Sequence, residues 1–292
     1  MNLRQVRDLQ APQSGQKKPR PRSWLKAREA VPGTSTISLA SICNSRQVQS
    51  SPSWTNGTHN RAIDKAVTPL RMGSYLSAAG YDQALARRLY IWDRDISSAL
   101  LADIAIVEVA LRNALSDQLE RVYGPRWSEQ DLGFDGPTRS KLSQAWDDLP
   151  QGRRTPGHLV ARLMFGFWRG LLEPGGYVGR NPQRFRADHD DLWRSGLAKA
   201  FPGGKAIAQA EGARFTRSWT LETVLTVGAV RNRAAHHEPF INGFPLPGQQ
   251  TRLTSQQGHE ACLKLARLLD RDLGSWLSSN TTVPTLRSQR PV

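Results

Sequence analysis

Residues 231–239, RNRAAHHEP, form a dense run of chemically capable side chains: Arg231, Asn232, His236 and His237. Val224, Leu225, Val227 and Val230 precede them at spacings that mark a helix. Gly228, within that stretch, is small enough to let a neighbouring helix approach closely. Pro239 disfavours helical backbone at Glu238, so the spacing predicts His236 and His237 in the last turn. At roughly 100° per residue, Asn232 and His236 share a face as an i,i+4 pair, and the long Arg231 side chain reaches the same face.

A fixed cation, an amide and an imidazole on one face suit a phosphodiester. The planar guanidinium fork matches two phosphate oxygens, and an imidazole exchanges a proton near neutral pH. No carboxylate cluster with metal-ligand spacing accompanies them, so the expected chemistry uses no metal and no cofactor. RNA then becomes the expected substrate, because its 2′-hydroxyl is an internal nucleophile. The products would be a 2′,3′-cyclic phosphate and a free 5′-hydroxyl. A plainer account stands beside this one: Arg and His near a helix C-terminus satisfy its last carbonyls. A metal site at His236, His237 and Glu238 is disfavoured, since adjacent helical residues point about 100° apart.

The elements that must position this face read as helices throughout, an all-α chain of about five to seven. Leu85, Leu89, Trp92, Ile96, Leu100, Ile104, Val107, Leu111, Leu115 and Leu119 recur mostly at three- and four-residue steps. They predict a helix from Asp82 to Tyr123, with a break near Asp93–Asp95 and a stop at Gly124-Pro125. Further helices are expected over Pro137–Leu149, Thr155–Leu172, His189–Phe201, Thr216–His236 and Gln256–Ser278. No hairpin is expected, and Phe240–Thr254 reads as a loop. Phe165, Phe167 and Trp168 read as core, and His158 as structural. On the long helix, Glu108, Arg112 and Asn113 form a second polar cluster. Glu108 and Arg112 suit an i,i+4 salt bridge, while Arg112 or Asn113 would complete the site in the functional version.

Composition bounds the partners. The 292 residues carry a formal net charge of +15, which favours a polyanion. Residues 1–70 contain 11 Lys plus Arg against 3 Asp plus Glu, and residues 1–68 lack any persistent apolar period. That segment is expected to be a disordered basic arm, and residues 281–292 a disordered tail, around a helical domain at 69–280. Cys43 and Cys262 suggest neither a zinc site nor a disulfide framework. No stretch approaches a membrane span, so a cytoplasmic protein with no membrane partner is expected.

Four segments also occur in a telling order: RMGSYLSAAGYDQALARRLYIWDRDISSAL, IVEVALRNAL with VYGPRW, HLVARLMFGFWRGLL, and VRNRAAHHEPFIN. Together they resemble the Abi-like (abortive infection) branch of the HEPN superfamily of all-helical RNA-associated domains. The resemblance covers about Pro69 to Asn242 and implies an HEPN-like bundle. Arg231 and His236 match the R and H of the family's R-x4-H motif, and Asn232 its intervening polar position. A metal-independent endoribonuclease acting as a toxin or anti-phage defence effector is thereby implied, or a noncatalytic RNA-binding or regulatory module. RNA, a second copy of the chain, and an antitoxin or regulatory RNA are the implied partners. Asp93 departs from the pattern, which has asparagine after the tryptophan of the long helix. A third reading makes the motif helix simply a dimer contact.

Overall fold

The computed structural model describes residues 57–246 and 248–292. Its centre is the long helix α3 (Gln83–Tyr123), preceded by α1 (Gly57–Ala66) and α2 (Pro69–Ala78). After it come α4 (Gly136–Asp147), α5 (Pro156–Arg162), α6 (Phe165–Gly170), α7 (His189–Ser195) and α8 (Gly204–Ala210). The motif helix α9 (Arg217–Ala235), α10 (Ser255–Leu269), α11 (Arg271–Asn280) and α12 (Val283–Ser288) complete the helices. The all-α expectation holds, with more helices than the five to seven foreseen. Two small antiparallel hairpins, unforeseen, interrupt them: β1 (Tyr177–Val178) with β2 (Phe185–Arg186), and β3 (Phe244–Pro245) with β4 (Arg252–Leu253).

Helix α3 spans about 60 Å at 1.5 Å per residue. It begins where the Asp82 carboxylate accepts the Ala84 and Leu85 N–H groups, at 2.7 and 3.0 Å. Gly124, at φ +85, ends it, donating its N–H to the Glu120 carbonyl. Ile96, Leu100, Ile104, Val107, Leu111, Leu115 and Leu119 are all buried, and α2, α9, α10 and α12 pack along the helix. The expected break at Asp93–Asp95 is absent, and the helix runs on unbroken. Asp93 lies buried beneath neighbouring elements instead, where it accepts hydrogen bonds from outside the helix.

Three of the expected helices divide, each for a local reason. Between α5 and α6, Leu163 and Met164 are extended. The interruption lets Phe165, Phe167 and Trp168 all enter the core, and the Trp168 indole N–H closes it by donating to the Leu163 carbonyl at 3.2 Å. Gly196 leaves the helical backbone region after α7, at φ −165 and ψ −38, so the chain continues only as a 3-10 turn over Leu197–Ala200. At Asp270 the backbone is extended and the carboxylate caps Leu273 N–H at 2.8 Å, starting α11 anew.

The expected domain limits shift at both ends. Residues 57–66, placed in the disordered arm, form α1, tied to α3 by a two-pronged Asp64–Arg87 pair with contacts of 2.8 and 2.6 Å. Residues 1–56, the rest of that basic arm, lie outside the described residues. Residues 281–292, expected as a loose tail, carry α12: Val283 is buried and the Trp92 indole N–H donates to the Leu286 carbonyl at 2.6 Å. No helix among the described residues is long and apolar enough to cross a membrane.

Candidate functional site

Helix α9 starts at Thr216, whose hydroxyl accepts the Trp219 N–H at 3.2 Å. Its Val224, Val227 and Val230 are fully buried. Gly228 faces the Phe165 ring so closely that a Cβ there would lie 2.9 Å from the ring. The small residue thus allows the close approach expected of it, and the partner is the aromatic turn of α6.

The C-terminus of α9 closes in a paired turn. His236 N–H donates to the Asn232 carbonyl at 2.9 Å, His237 N–H to Ala234 at 3.1 Å, and Glu238 N–H to Arg233 at 2.9 Å. The last two bonds make the Schellman arrangement, in which the residue after the cap adopts left-handed backbone. Here that residue is His237, at φ +55, where glycine is usual. Arg233 fastens the turn: its Nε donates to the Pro239 carbonyl at 2.6 Å and its Nη1 lies 3.2 Å from Glu238. Asp93 then anchors the exit, accepting the Phe240 N–H at 3.0 Å and the Tyr75 hydroxyl at 2.7 Å. Burial pushes the Asp93 carboxyl up, although both bonds oppose the shift. Both partners are donors, so a carboxylate meets the hydrogen-bonding demand of this position as an asparagine oxygen would.

Of the sequence-flagged residues, the structure brings Arg231, Asn232 and Glu108 together. Arg231 Nη1 donates to Asn232 Oδ1 at 3.5 Å, and its Nε lies 3.5 Å from Glu108 Oε2, both side chains about a quarter exposed. This corrects the expected Glu108–Arg112 bridge: the Arg231 guanidinium, arriving from α9, takes the carboxylate. Arg112 instead donates to its neighbour Asn113 at 3.3 Å. Asn232, His236 and His237 are exposed. Neither imidazole forms an ion pair or a side-chain hydrogen bond among the described residues, so nothing there fixes its orientation.

Arg231 and Asn232 also edge a cleft of about 370 Å³. Lys141, Gln144, Arg162, Met164 and Arg169 contribute to its walls, with Phe165 of α6 and Gly228 of α9. Three of its cations are partly engaged: Lys141 with the Gly166 carbonyl at 3.2 Å, Arg162 with Asp148 at 2.8 Å, and Arg169 with Glu173 at 3.0 Å. These wall residues come from α4 to α6, some 60 to 90 positions before the motif. Sequence periodicity carried no signal that they would face it.

Three other histidines, His158, His189 and His259, behave differently. His189, fully buried, sits 3.1 and 3.0 Å from the Gly170 and Glu173 carbonyls through Nδ1, while Nε2 accepts the Asp135 N–H. His158 contacts the hydroxyl of its own helix cap, Thr155, at 2.7 Å. Buried His259 lies 3.5 Å from Asp103, without a hydrogen bond at its Nδ1. Nearby, burial pushes the Cys262 thiol up to about 12, which keeps it protonated and inert. Among the described residues, no three His, Cys, Asp or Glu side chains gather as metal ligands would. Comparison with protein-family models, with curated proteins and with solved structures finds no match for this chain.

Proposed function

We propose that the chain is an Abi-like HEPN protein that cleaves RNA without a metal, acting as a toxin or anti-phage effector. The observation that carries the reading is the end of α9. There Arg231 and Asn232 border a cleft lined in part by cations, and an exposed, uncommitted His236 follows one turn later. Arg231 would hold the phosphate through its fork and stabilise the charge that develops at phosphorus. His236 would remove the 2′-hydroxyl proton as that oxygen attacks phosphorus; the bond from phosphorus to the 5′-oxygen then breaks, and that oxygen takes a proton from solvent. Asn232 would orient the phosphate or the imidazole.

A homodimer fits the same reading. Ala102, Ala105 and Val109 form an exposed, uncharged strip on α3 beside Glu108, a surface on which a second copy would bring its own motif. The noncatalytic alternative, an RNA-binding or regulatory module, is favoured by one observation. Arg231 is already paired with Glu108, and no partner among the described residues orients His236. End-group analysis separates the two. Full-length protein incubated with labelled RNA in EDTA should yield 2′,3′-cyclic phosphate and 5′-hydroxyl ends. RNA that is retained but uncut would favour the alternative, and RNA that is neither bound nor cut would overturn both.

A further inference from the structure

We propose that the β1–β2 hairpin is a second contact for single-stranded RNA, with Tyr177 as its stacking platform and Arg180, Arg184 and Arg186 as its phosphate contacts. The proposal rests on the chain being RNA-directed, but uses none of the motif residues.

The stretch from Pro174 to Ala187, PGGYVGRNPQRFRA, holds three arginines and no acidic residue. Every residue from Gly179 to Arg186 is exposed, and Tyr177 and Phe185 as residues are 57% and 51% exposed. Aromatic rings left this open on a cationic projection resemble a contact surface more than a core. Strand pairing sets Tyr177 opposite Arg186 and Val178 opposite Phe185. Alternation then places Tyr177, Arg184 and Arg186 on one face. The Arg184 guanidinium already lies 3.8 Å from the centre of the Tyr177 ring, a flat cationic and π surface over which a base can stack. Among the described residues, none of the three arginines has a carboxylate partner.

The hairpin root is held firmly, so the platform needs little ordering on binding. Gly176 N–H donates to Asp135 Oδ2 at 2.9 Å, and Ala187 N–H to the Gly176 carbonyl at 2.9 Å. Gly175, at φ +87, leaves no room for a side chain: a Cβ would lie 2.2 Å from the Ala187 carbonyl oxygen. Arg186 Nε reaches the Gly175 carbonyl at 3.4 Å.

A single strand is favoured because stacking on a protein ring requires an unpaired base. The tip, Gly179 to Gln183, is polar and lacks the apolar residues that would anchor it in a lipid surface. The test is anisotropy of a labelled, uncleavable 2′-O-methyl oligoribonucleotide with the full chain, against R180E/R184E and Tyr177→Leu. The double variant should bind about tenfold more weakly, with a log–log salt slope shallower by about 1.4, as for two lost contacts to a single strand. Tyr177→Leu should weaken binding about fivefold with an unchanged slope, as for a lost stack. Thermal unfolding should be unaltered in both; if the double variant unfolds, Tyr177→Leu decides alone. Wild-type affinity in folded variants overturns the hairpin proposal and leaves the motif reading standing. No RNA affinity in the wild type overturns both. Vesicles containing phosphatidylserine form a second arm: wild-type binding to them that the variants lose, with RNA binding unchanged, would make the hairpin a lipid contact and overturn the proposal.

Discussion

The two ends of α9 carry the same residue type in opposite circumstances. At the N-terminal end, Arg217 is 8% exposed, with its Nε 2.7 Å from Asp190 and its Nη1 2.6 Å from the Leu172 carbonyl. At the C-terminal end, Arg231 is about a quarter exposed and has one loose carboxylate partner at 3.5 Å. The histidines divide in the same way, His189 enclosed by backbone partners and His236 open to solvent. Arg217 and His189 spend their polar groups on holding α6, α7 and α9 together. Arg231 has only the loose Glu108 and Asn232 contacts, and His236 shows no side-chain partner among the described residues.

The largest expected contrast is between the histidines. His189→Ala leaves the Asp135 N–H unpaired in a new cavity and should cost about 3 kcal/mol or more in denaturant unfolding. His236→Ala should stay within about 0.5 kcal/mol of the parent. Equal losses would break the comparison. Next, Arg217→Met deprives the Leu172 carbonyl of its donor and should cost about 2 kcal/mol, whereas Arg231→Met should leave stability nearly unchanged and impair RNA binding. The hydrogen bond from Arg217 also holds the Asp190 carboxyl below its ordinary value of 3.8. That part of the stability is present above pH 3.8 and fades as pH falls through the depressed value, so acid should narrow the gap between parent and Arg217→Met.

A smaller effect sharpens the picture of the motif turn. His237→Gly removes left-handed strain from a side-chain-bearing residue and should raise stability by about 1 kcal/mol. A loss would mean that the imidazole makes a compensating contact. The smallest effect concerns Asp93. Because burial raises its carboxyl, the folded chain holds that proton more tightly than the unfolded chain does. The resulting stability is full below pH 3.8 and is lost as pH rises through the folded-state value. Asp93→Asn keeps both hydrogen bonds and should lack this pH step in unfolding experiments.

How much of this was legible in the sequence depended on whether the cause was local. Leu89 to Leu119 announced α3 because its buried face repeats at helical spacing, and Asp82 and Gly124 marked its ends through their own caps. Thr216 marked the start of the motif helix, but Pro239 led to His237 being placed in the last turn, whereas the helix ends at Ala235 and His237 lies beyond the cap. The division at Leu163–Met164 was not legible, because it is set by where Phe165 and Trp168 find room against Gly228 and the Leu163 carbonyl. Asp270 lies in an apolar repeat that continues on both sides, so its capping role emerges only from the backbone. The partner of Glu108 was misread because the sequence offers Arg112 at the right spacing and conceals Arg231, which arrives from another helix. The walls of the cleft were hidden for the same reason.

The exposed end of α9 is proposed as a metal-independent cleavage site centred on His236. Its most direct test is the initial rate of RNA cleavage in EDTA by full-length protein and by His236→Ala, compared at matched thermal stability. Cleavage by the parent and at least a hundredfold loss in the variant are expected, about the contribution of a general base or acid. An undiminished rate in folded His236→Ala would contradict it.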